Sequence, residues 1–448
     1  MRETSTIEEG VPGGPIVIRD GENVSLDRLA IPAARGKNWL LSRDFSFVWW
    51  SQVLSQVADG VSKLALLWFV YSITGSPLKT MVIGLLQTLP PIVLGPVIGV
   101  TVDRLPKKVI LICSDVSRAV LIGLIPCWVS VQSFTVESLY VLTFLYGIAT
   151  AMFVPTLSSS VPFMVQRGQL TAANALLQST TSVGIIVGPV LSGLGIAFSG
   201  SQDVLCINAV TYLASAACLI PIQITGGVQQ QQQSYRGAMV NDLVEGIRYT
   251  LISQRSILLL IGMASIYTFG TGAFTTLFPV FGKKLLALGP IEVGYLWSWL
   301  GVGLFLVSLS LVWLTEWDLR RRILAVTLTS LLGGVSLCGL VWVQDIHVAT
   351  MLVAFIGIGF GTWTPIAWGI IQELSPAHMV GRVMALYTSI ATATSMAGMT
   401  FFGWLMETFN ASISLMGIGL VLLALAASTA WFSPRIVHEM IVPPAKGL

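Results

Sequence analysis

Stretches of about 20 mostly apolar residues recur along the chain, separated by short polar or Pro/Gly breaks. A helix needs about that length to cross the hydrocarbon core of a bilayer. Twelve such stretches can be marked, at 46–72, 80–102, 108–130, 137–157, 172–198, 204–224, 256–281, 292–315, 322–343, 348–372, 383–406 and 412–432. The pattern predicts an all-α membrane protein of twelve transmembrane helices in two six-helix bundles, 46–224 and 256–432. Flanking them are a disordered cytosolic tail over 1–45 without a cleavable signal, a linker over 225–255 and a cytosolic tail over 433–448. The linker opens with the low-complexity run Gln229–Gln233. Beyond it Val240, Leu243, Val244, Ile247 and Leu251 share one helical face, away from Asp242, Glu245 and Arg248. This suits either a helix lying on the membrane surface or an ordinary solvated linker helix. The halves echo one another. Pro155 and Pro162 close the fourth span as Pro365 and Pro376 close the tenth, and Lys107-Lys108-Val-Ile-Leu opens the third as Arg321-Arg322-Ile-Leu opens the ninth. Twin six-span repeats are a way to build a central site between two rocking bodies.

Composition supports the bilayer as solvent. Of 448 residues, 54% are hydrophobic and 10% charged, against roughly a quarter charged in soluble domains. The net charge of +3 gives no ground for a nucleic-acid partner. Placement of the cations is more telling. Of the 24 Lys and Arg, 19 fall in the two tails or in turns after even-numbered spans. Only Lys79, Lys283 and Lys284 fall in the other turns, and Lys63 and Arg118 lie within spans. By the positive-inside bias, both chain ends face the cytosol of a cell whose inner membrane holds the protein. The five cysteines (Cys113, Cys127, Cys206, Cys218 and Cys338) sit in apolar runs without paired spacing and read as packing residues. His347, His378 and His438 lie at span ends or in the tail without metal-ligand spacing. There is no Gly-x-x-x-x-Gly-Lys-Ser/Thr loop for ATP and no Asp-Asp-x-x-Asp run for a magnesium diphosphate. An enzyme, a metal site and a cofactor are therefore not expected.

The turn after the second span reads Gly99-Val-Thr-Val-Asp103-Arg104-Leu-Pro106-Lys107-Lys108. Gly99 allows close helix approach, and Asp103 suits the positive N-terminal end of a neighbouring helix. Arg104, Lys107 and Lys108 supply donors for a latch between the halves on the cytosolic side, unless the turn is simply a positive-inside one. The stretch resembles the signature Gly-x-x-x-Asp-Arg-x-Gly-Arg-Arg/Lys of the major facilitator superfamily, with Pro106 where that family has Gly. In the fifth span, Gly184, Gly188, Pro189 and Gly193 are similar to the Gly-Pro motif of the superfamily's exporters and antiporters. Small residues at that spacing also serve helix packing alone. Further stretches resemble the macrolide-efflux and siderophore-exporter branch: Leu94-Gly95-Pro96, Leu170-Thr-Ala-Ala-Asn174-Ala175, Ser265-Ile-Tyr267-Thr-Phe269, Leu277-Phe-Pro279 and Gly381-Arg382-Val383. One departure concerns proton transfer. Many members carry an Arg in the fourth span, where this chain reads Leu145-Tyr146-Gly147.

Few ionisable groups remain within the spans. Asp59 lies near the middle of the first, and Lys63 follows one turn later on the same face. Charges at that depth belong on a central cavity. Asp59 is expected to carry a coupling proton, with Lys63 tuning it or touching substrate; a permanently paired structural couple is the other reading. Asp115 and Arg118, one turn apart near the basic turn, are expected in the cytosolic latch, and Glu373 and Arg382 at a gate. Trp363 and Trp368, deep in span ten, suit an aromatic wall for flat apolar substrates, or else helix packing.

Together these features lead us to expect a proton-coupled secondary transporter, acting as a monomer, that exports small hydrophobic compounds. A siderophore, lipid or other metabolite is the alternative cargo, and a non-transporting receptor on the same fold is less favoured. The partners expected are a small-molecule substrate, protons and the lipid bilayer. Single cysteines placed near each chain end should be modified by an impermeant maleimide only in inverted vesicles; modification of either one in intact cells would contradict this topology.

Overall fold

The computed structural model describes residues 43–129, 135–165, 170–223, 255–312, 318–375 and 380–441. The N-terminal tail up to residue 42, most of the linker with its amphipathic segment, and residues 442–448 lie outside the described residues. The described residues, from Arg43 onward, belong to one compact unit.

The helices are α1 (Arg43–Thr74), α2 (Pro77–Arg104), α3 (Lys107–Val129) and α4 (Val136–Ser160). Next comes the continuous helical run Leu170–Leu219, which breaks at Gly200 with φ 86° and ψ 162°. Its limbs are α5 (170–199) and α6 (201–219). They are followed by α7 (Arg255–Leu285), α8 (Pro290–Val312), α9 (Leu319–Gly339), α10 (Ile346–Leu374), α11 (Val380–Thr408) and α12 (Ala411–Ile441). Ten helices are long and apolar enough to cross a membrane, the α5–α6 run counting once. The one left out is α11, whose Thr388, Ser389, Thr392, Thr394 and Ser395 dilute its apolar residues. Thr394 Oγ1 lies 2.8 Å from Thr268 Oγ1 of α7, so some of that polarity is spent between helices.

Local chemistry sets the helix ends. Gly75, at φ 63°, terminates α1 by donating its N–H to the Tyr71 carbonyl at 2.9 Å. Ser76 then caps α2 by accepting from the Lys79 N–H, with Pro77 at the first helical position. The α2–α3 turn shows how Pro106 is accommodated. Leu105 before it is extended, and the Pro106 carbonyl accepts the Ile110 N–H at 3.2 Å, so the proline starts α3. Asp345 caps α10 by accepting from the His347 and Val348 N–H groups, which hold its carboxyl below the usual range. The structure extends α12 to Ile441, so 433–441, expected in the tail, are helical.

The two halves repeat one neighbour pattern. In the first, α1 packs on the α5–α6 run, α2 and α3 on α4, and α3 on the α5–α6 run. In the second, α7 packs on α11 and α12, α8 and α9 on α10, and α9 on α12. Between the halves, α5 packs on α8 and α2 on α11. Many of these seams are backbone-close. A Cβ built on Gly60 of α1 would sit 3.1 Å from the Gly188 Cα and overlap the Gly184 carbonyl. One on Gly294 of α8 would lie 3.2 Å from the Gly193 Cα of α5 and overlap the Pro189 carbonyl. Gly184, Gly188, Pro189 and Gly193 thus form a strip that meets α1 on one side and α8 on the other.

Contacts joining the halves gather at the end that bears the α1–α2, α7–α8 and α11–α12 turns. There the Glu407 carboxylate accepts from Ser76 Oγ at 2.9 Å and from the Leu78 N–H at 3.2 Å. Lys283 Nζ lies over the rings of Trp68 and Tyr71, at 5.3 and 5.5 Å from their centroids. Replacing Gly294 with Ala should lower thermal stability in detergent by about 1–3 kcal/mol through overpacking. Gly262→Ala, with nothing within 4 Å, should be neutral or stabilising; equal effects from both would contradict the close α5–α8 seam.

Candidate functional site

Three helices of the first half turn polar residues onto one point. In α6, Asn208, Tyr212 and Ser215 recur at helical spacing, and α1 offers Ser51, Ser55, Asp59 and Ser62 in the same way. From α3 come Asp115 and Arg118. Arg118 Nη1 donates to Asp59 Oδ1 at 3.1 Å while its Nη2 pairs with Asp115 Oδ1. The guanidinium also lies over the rings of Phe153 and Tyr212, at 4.4 and 4.8 Å. Arg118 and Asp115 are 1% and 0% exposed, whereas Asp59 is 28% exposed. The last value separates the buried anchor from the face that meets the cavity.

The remaining lone pairs of both carboxylates are largely used. Asp59 Oδ1 accepts from Tyr212 Oη at 2.6 Å and Tyr146 Oη at 3.1 Å, and the two phenols are 2.7 Å apart. Asp115 Oδ2 accepts from Ser215 Oγ at 2.6 Å, and Ser215 is itself 2.9 Å from Ser51 Oγ. Asn208 Nδ2 donates to the Ala58 carbonyl and to Ser62 Oγ, fixing α6 against α1 beside the cluster. Low dielectric makes such a network strong when complete and costly when broken.

This grouping bears on two sequence readings, the expected latch and the alternative of a paired Asp59–Lys63 couple. Arg118 and Asp115 do not belong to a latch at the basic turn; they join Asp59 in the interior of the bundle. Lys63 is not paired with Asp59. Its Nζ lies 5.6 Å from the ring centroid of Trp297 on α8, across the divide between the halves. Among the described residues no carboxylate comes within 4 Å of it.

The basic turn also works differently. Lys107 Nζ donates to the Ser159 carbonyl and Lys108 Nζ to the Ile220 carbonyl, both at 2.5 Å. These carbonyls close α4 and α6 of the same half, so in these contacts the two lysines cap helix C-termini within the first half. Arg104 is exposed. Gly99 and Asp103 fall in the last turns of α2, and the surroundings of the Asp103 and Arg382 side chains lie outside the described residues. Glu373 pairs with Arg322 of α9 at 2.6 Å, within the second half. Trp363 is 2% exposed, stacked on Tyr267 and donating to Tyr387 Oη at 3.1 Å. It is a packing residue, and neither it nor the 39% exposed Trp368 lines the central cavity.

That cavity has a volume of about 260 Å³. Asp59, Lys63 and Leu67 of α1 line it, with Gln87 and Thr88 of α2 and Tyr146 and Thr150 of α4; Thr275, Thr276 and Met399 close it from the second half. Sequence reading missed Tyr146, Tyr212, Ser215 and Trp297 as partners. The signal available for two of them was the polar spacing in α6. Tyr146 stood at the position where the resembling family carries Arg; Arg118 supplies a guanidinium to that neighbourhood from α3.

Removing the guanidinium leaves the buried Asp115 carboxylate, and Asp59 beside it, without their shared cation. Arg118→Ala should therefore cost about 3–5 kcal/mol of stability, read as early thermal unfolding in detergent. Adding Asp115→Asn should recover much of that loss; equal stability of all three proteins would contradict the charge network.

Comparison with known proteins places this geometry. A family model described as Major Facilitator Superfamily matches residues 48–399. The chain is 24% identical over 386 residues to a multidrug efflux pump, Tap, of Mycolicibacterium fortuitum, covering 84% of this chain and 92% of the relative. It is 23% identical over 364 residues to macrolide efflux protein A of Streptococcus pyogenes, covering 81% and 88%. Among solved structures, a bacterial homologue of the human lysosomal transporter Spinster, in an inward-facing conformation, superposes with TM-score 0.68 at 13% identity over 92% of this chain and all of that one. A peptide transporter, POT, gives 0.70 at 14% identity over 88% and 95%.

Proposed function

The chain belongs to the Major Facilitator Superfamily, and from that premise we propose that it is a proton-coupled exporter of small hydrophobic compounds working by alternating access. It is a multi-pass membrane transporter and not an enzyme. The efflux relatives support the direction of transport and the class of cargo. The uneven distribution of Lys and Arg supports cytosolic chain ends. In that orientation the end closed by Glu407, Ser76 and Lys283 is the outer one.

The observation that carries the coupling is the double attachment of Asp59. Its carboxylate meets the cavity, yet it also holds Arg118 of α3, Tyr146 of α4 and Tyr212 of α6. Two carboxylates share a single guanidinium, so the ionised triad carries one net negative charge. One proton neutralises it. Protonating Asp59 replaces an acceptor of three hydrogen bonds with a hydroxyl that must donate, which loosens three helices at once and hands Arg118 to Asp115. A proton arriving from outside thus changes the packing of the first half, the kind of differential interaction a conformational shift requires. Release to the cytosol restores the clamp.

The polar lining by Gln87, Thr88, Thr150, Thr275 and Thr276 favours a second cargo class, an endogenous metabolite, in place of a drug. Coupling through Asp59 is independent of that choice. In inside-out vesicles Asp59→Asn should abolish uphill accumulation of a macrolide or dye driven by an imposed proton gradient. The same mutant should still exchange labelled for unlabelled substrate. Uphill accumulation at the wild-type rate would remove Asp59 from the coupling step.

A further inference from the structure

The charge balance of the central cavity says more about the cargo than the general reading does. Asp59 is the one carboxylate among the lining residues. Its Oδ1 already takes Arg118, Tyr146 and Tyr212, and Oδ2 has Arg118 at 3.4 Å. Arg118 is buried behind it. A cationic ligand would therefore have to share Asp59 with Arg118 and two phenols.

Lys63 is the opposite case. Its side chain is exposed to the cavity, with no carboxylate within 4 Å among the described residues. The face of Trp297 on α8 is occupied by this ammonium, and the ring packs on Phe278 at 5.2 Å. The protein's own cation thus fills the place where a ligand cation would find cation–π stabilisation. Thr150, also on the lining, has a buried Oγ1 with no hydrogen-bond partner among the described residues. By contrast, Thr88 and Thr275 donate their hydroxyl protons to backbone carbonyls. Lys63 and Thr150 therefore offer donors, with the Gln87 amide beside them, while Leu67, Met399 and the Tyr146 ring supply apolar wall.

We propose that the cavity takes an organic carboxylate on a compact apolar body, with the carboxylate docked on Lys63. Lys63 leaves the Trp297 ring to make a charge-assisted hydrogen bond, and Thr150 and Gln87 complete the oxyanion's shell. The clamp of one guanidinium and two phenols on Asp59 screens that charge from the bound anion one turn away. Export of an anion also runs with an inside-negative membrane potential, so it adds to the drive from the proton.

This inference rests on the transport reading only in taking the cavity as the substrate site, and binding alone can test it. Purified full-length protein would be titrated with tritiated 2-naphthylacetate, its methyl ester and 2-naphthylethylammonium, which share one apolar body. The acid should bind at least tenfold more tightly than the ester or the ammonium. Lys63→Met should remove that preference without weakening the ester, Lys63→Arg should keep it, and Lys63→Glu should turn it toward the ammonium. Equal affinity for acid and ester in the wild type would overturn the proposal, as would an unchanged preference in a Lys63→Met protein of normal melting temperature. Failure of all three probes on the wild type would reject the cavity as a site for apolar ligands, and with it the transport reading.

Discussion

Arg118 is the residue on which the first half is organised. A guanidinium out of reach of water is costly, and it persists only because two carboxylates and two aromatic faces surround it. Those partners come from α1, α3, α4 and α6. The four helices are therefore positioned by an electrostatic requirement as well as by close packing. Most of the cluster is sealed, and Asp59 and Tyr146 reach the cavity. A change of charge at the Asp59 oxygen pair is felt by groups that no solute touches.

The second half is built by other means. Its interior is closed by rings, with Tyr267 stacked on Trp363 and Phe274 against Phe278, Phe281 and Phe360. Its ion pair, Arg322 with Glu373, lies at the helix ends. Two bundles with the same neighbour pattern thus differ in what fills them, one carrying ionised groups and the other aromatic mass. That division puts the proposed coupling residue in one repeat and the ring-filled interior in the other.

Much of the architecture was legible in the chain. Apolar length marked twelve segments because the bilayer imposes a minimum run, and the Gly184–Gly193 strip announced a close helix contact because small side chains have few other uses at that spacing. The ionic site was only half legible. Asp59 stood out by its depth, but its partner is 59 positions away on another helix, and a local rule pointed instead to Lys63, one turn along. Helical spacing shows which residues share a face; it does not say which way a long, flexible side chain leans. Trp363 illustrates the same limit, since a tryptophan facing a neighbouring helix and one facing a cavity have the same period.

The break at Gly200 ties these parts together. Along α1, Gln56 and Gly60 meet Gly184 and Gly188 in order, so α5 runs parallel to α1. Ser51 and Ser62 meet Ser215 and Asn208, so α6 runs back the other way. The chain reverses at a single residue, in a backbone conformation open mainly to glycine, and no loop separates the limbs. One limb carries the seam against α8; the other carries Tyr212 and Ser215. A tilt at the junction of the halves is thus only one residue of irregular chain away from the limb whose phenol and hydroxyl hold the acids.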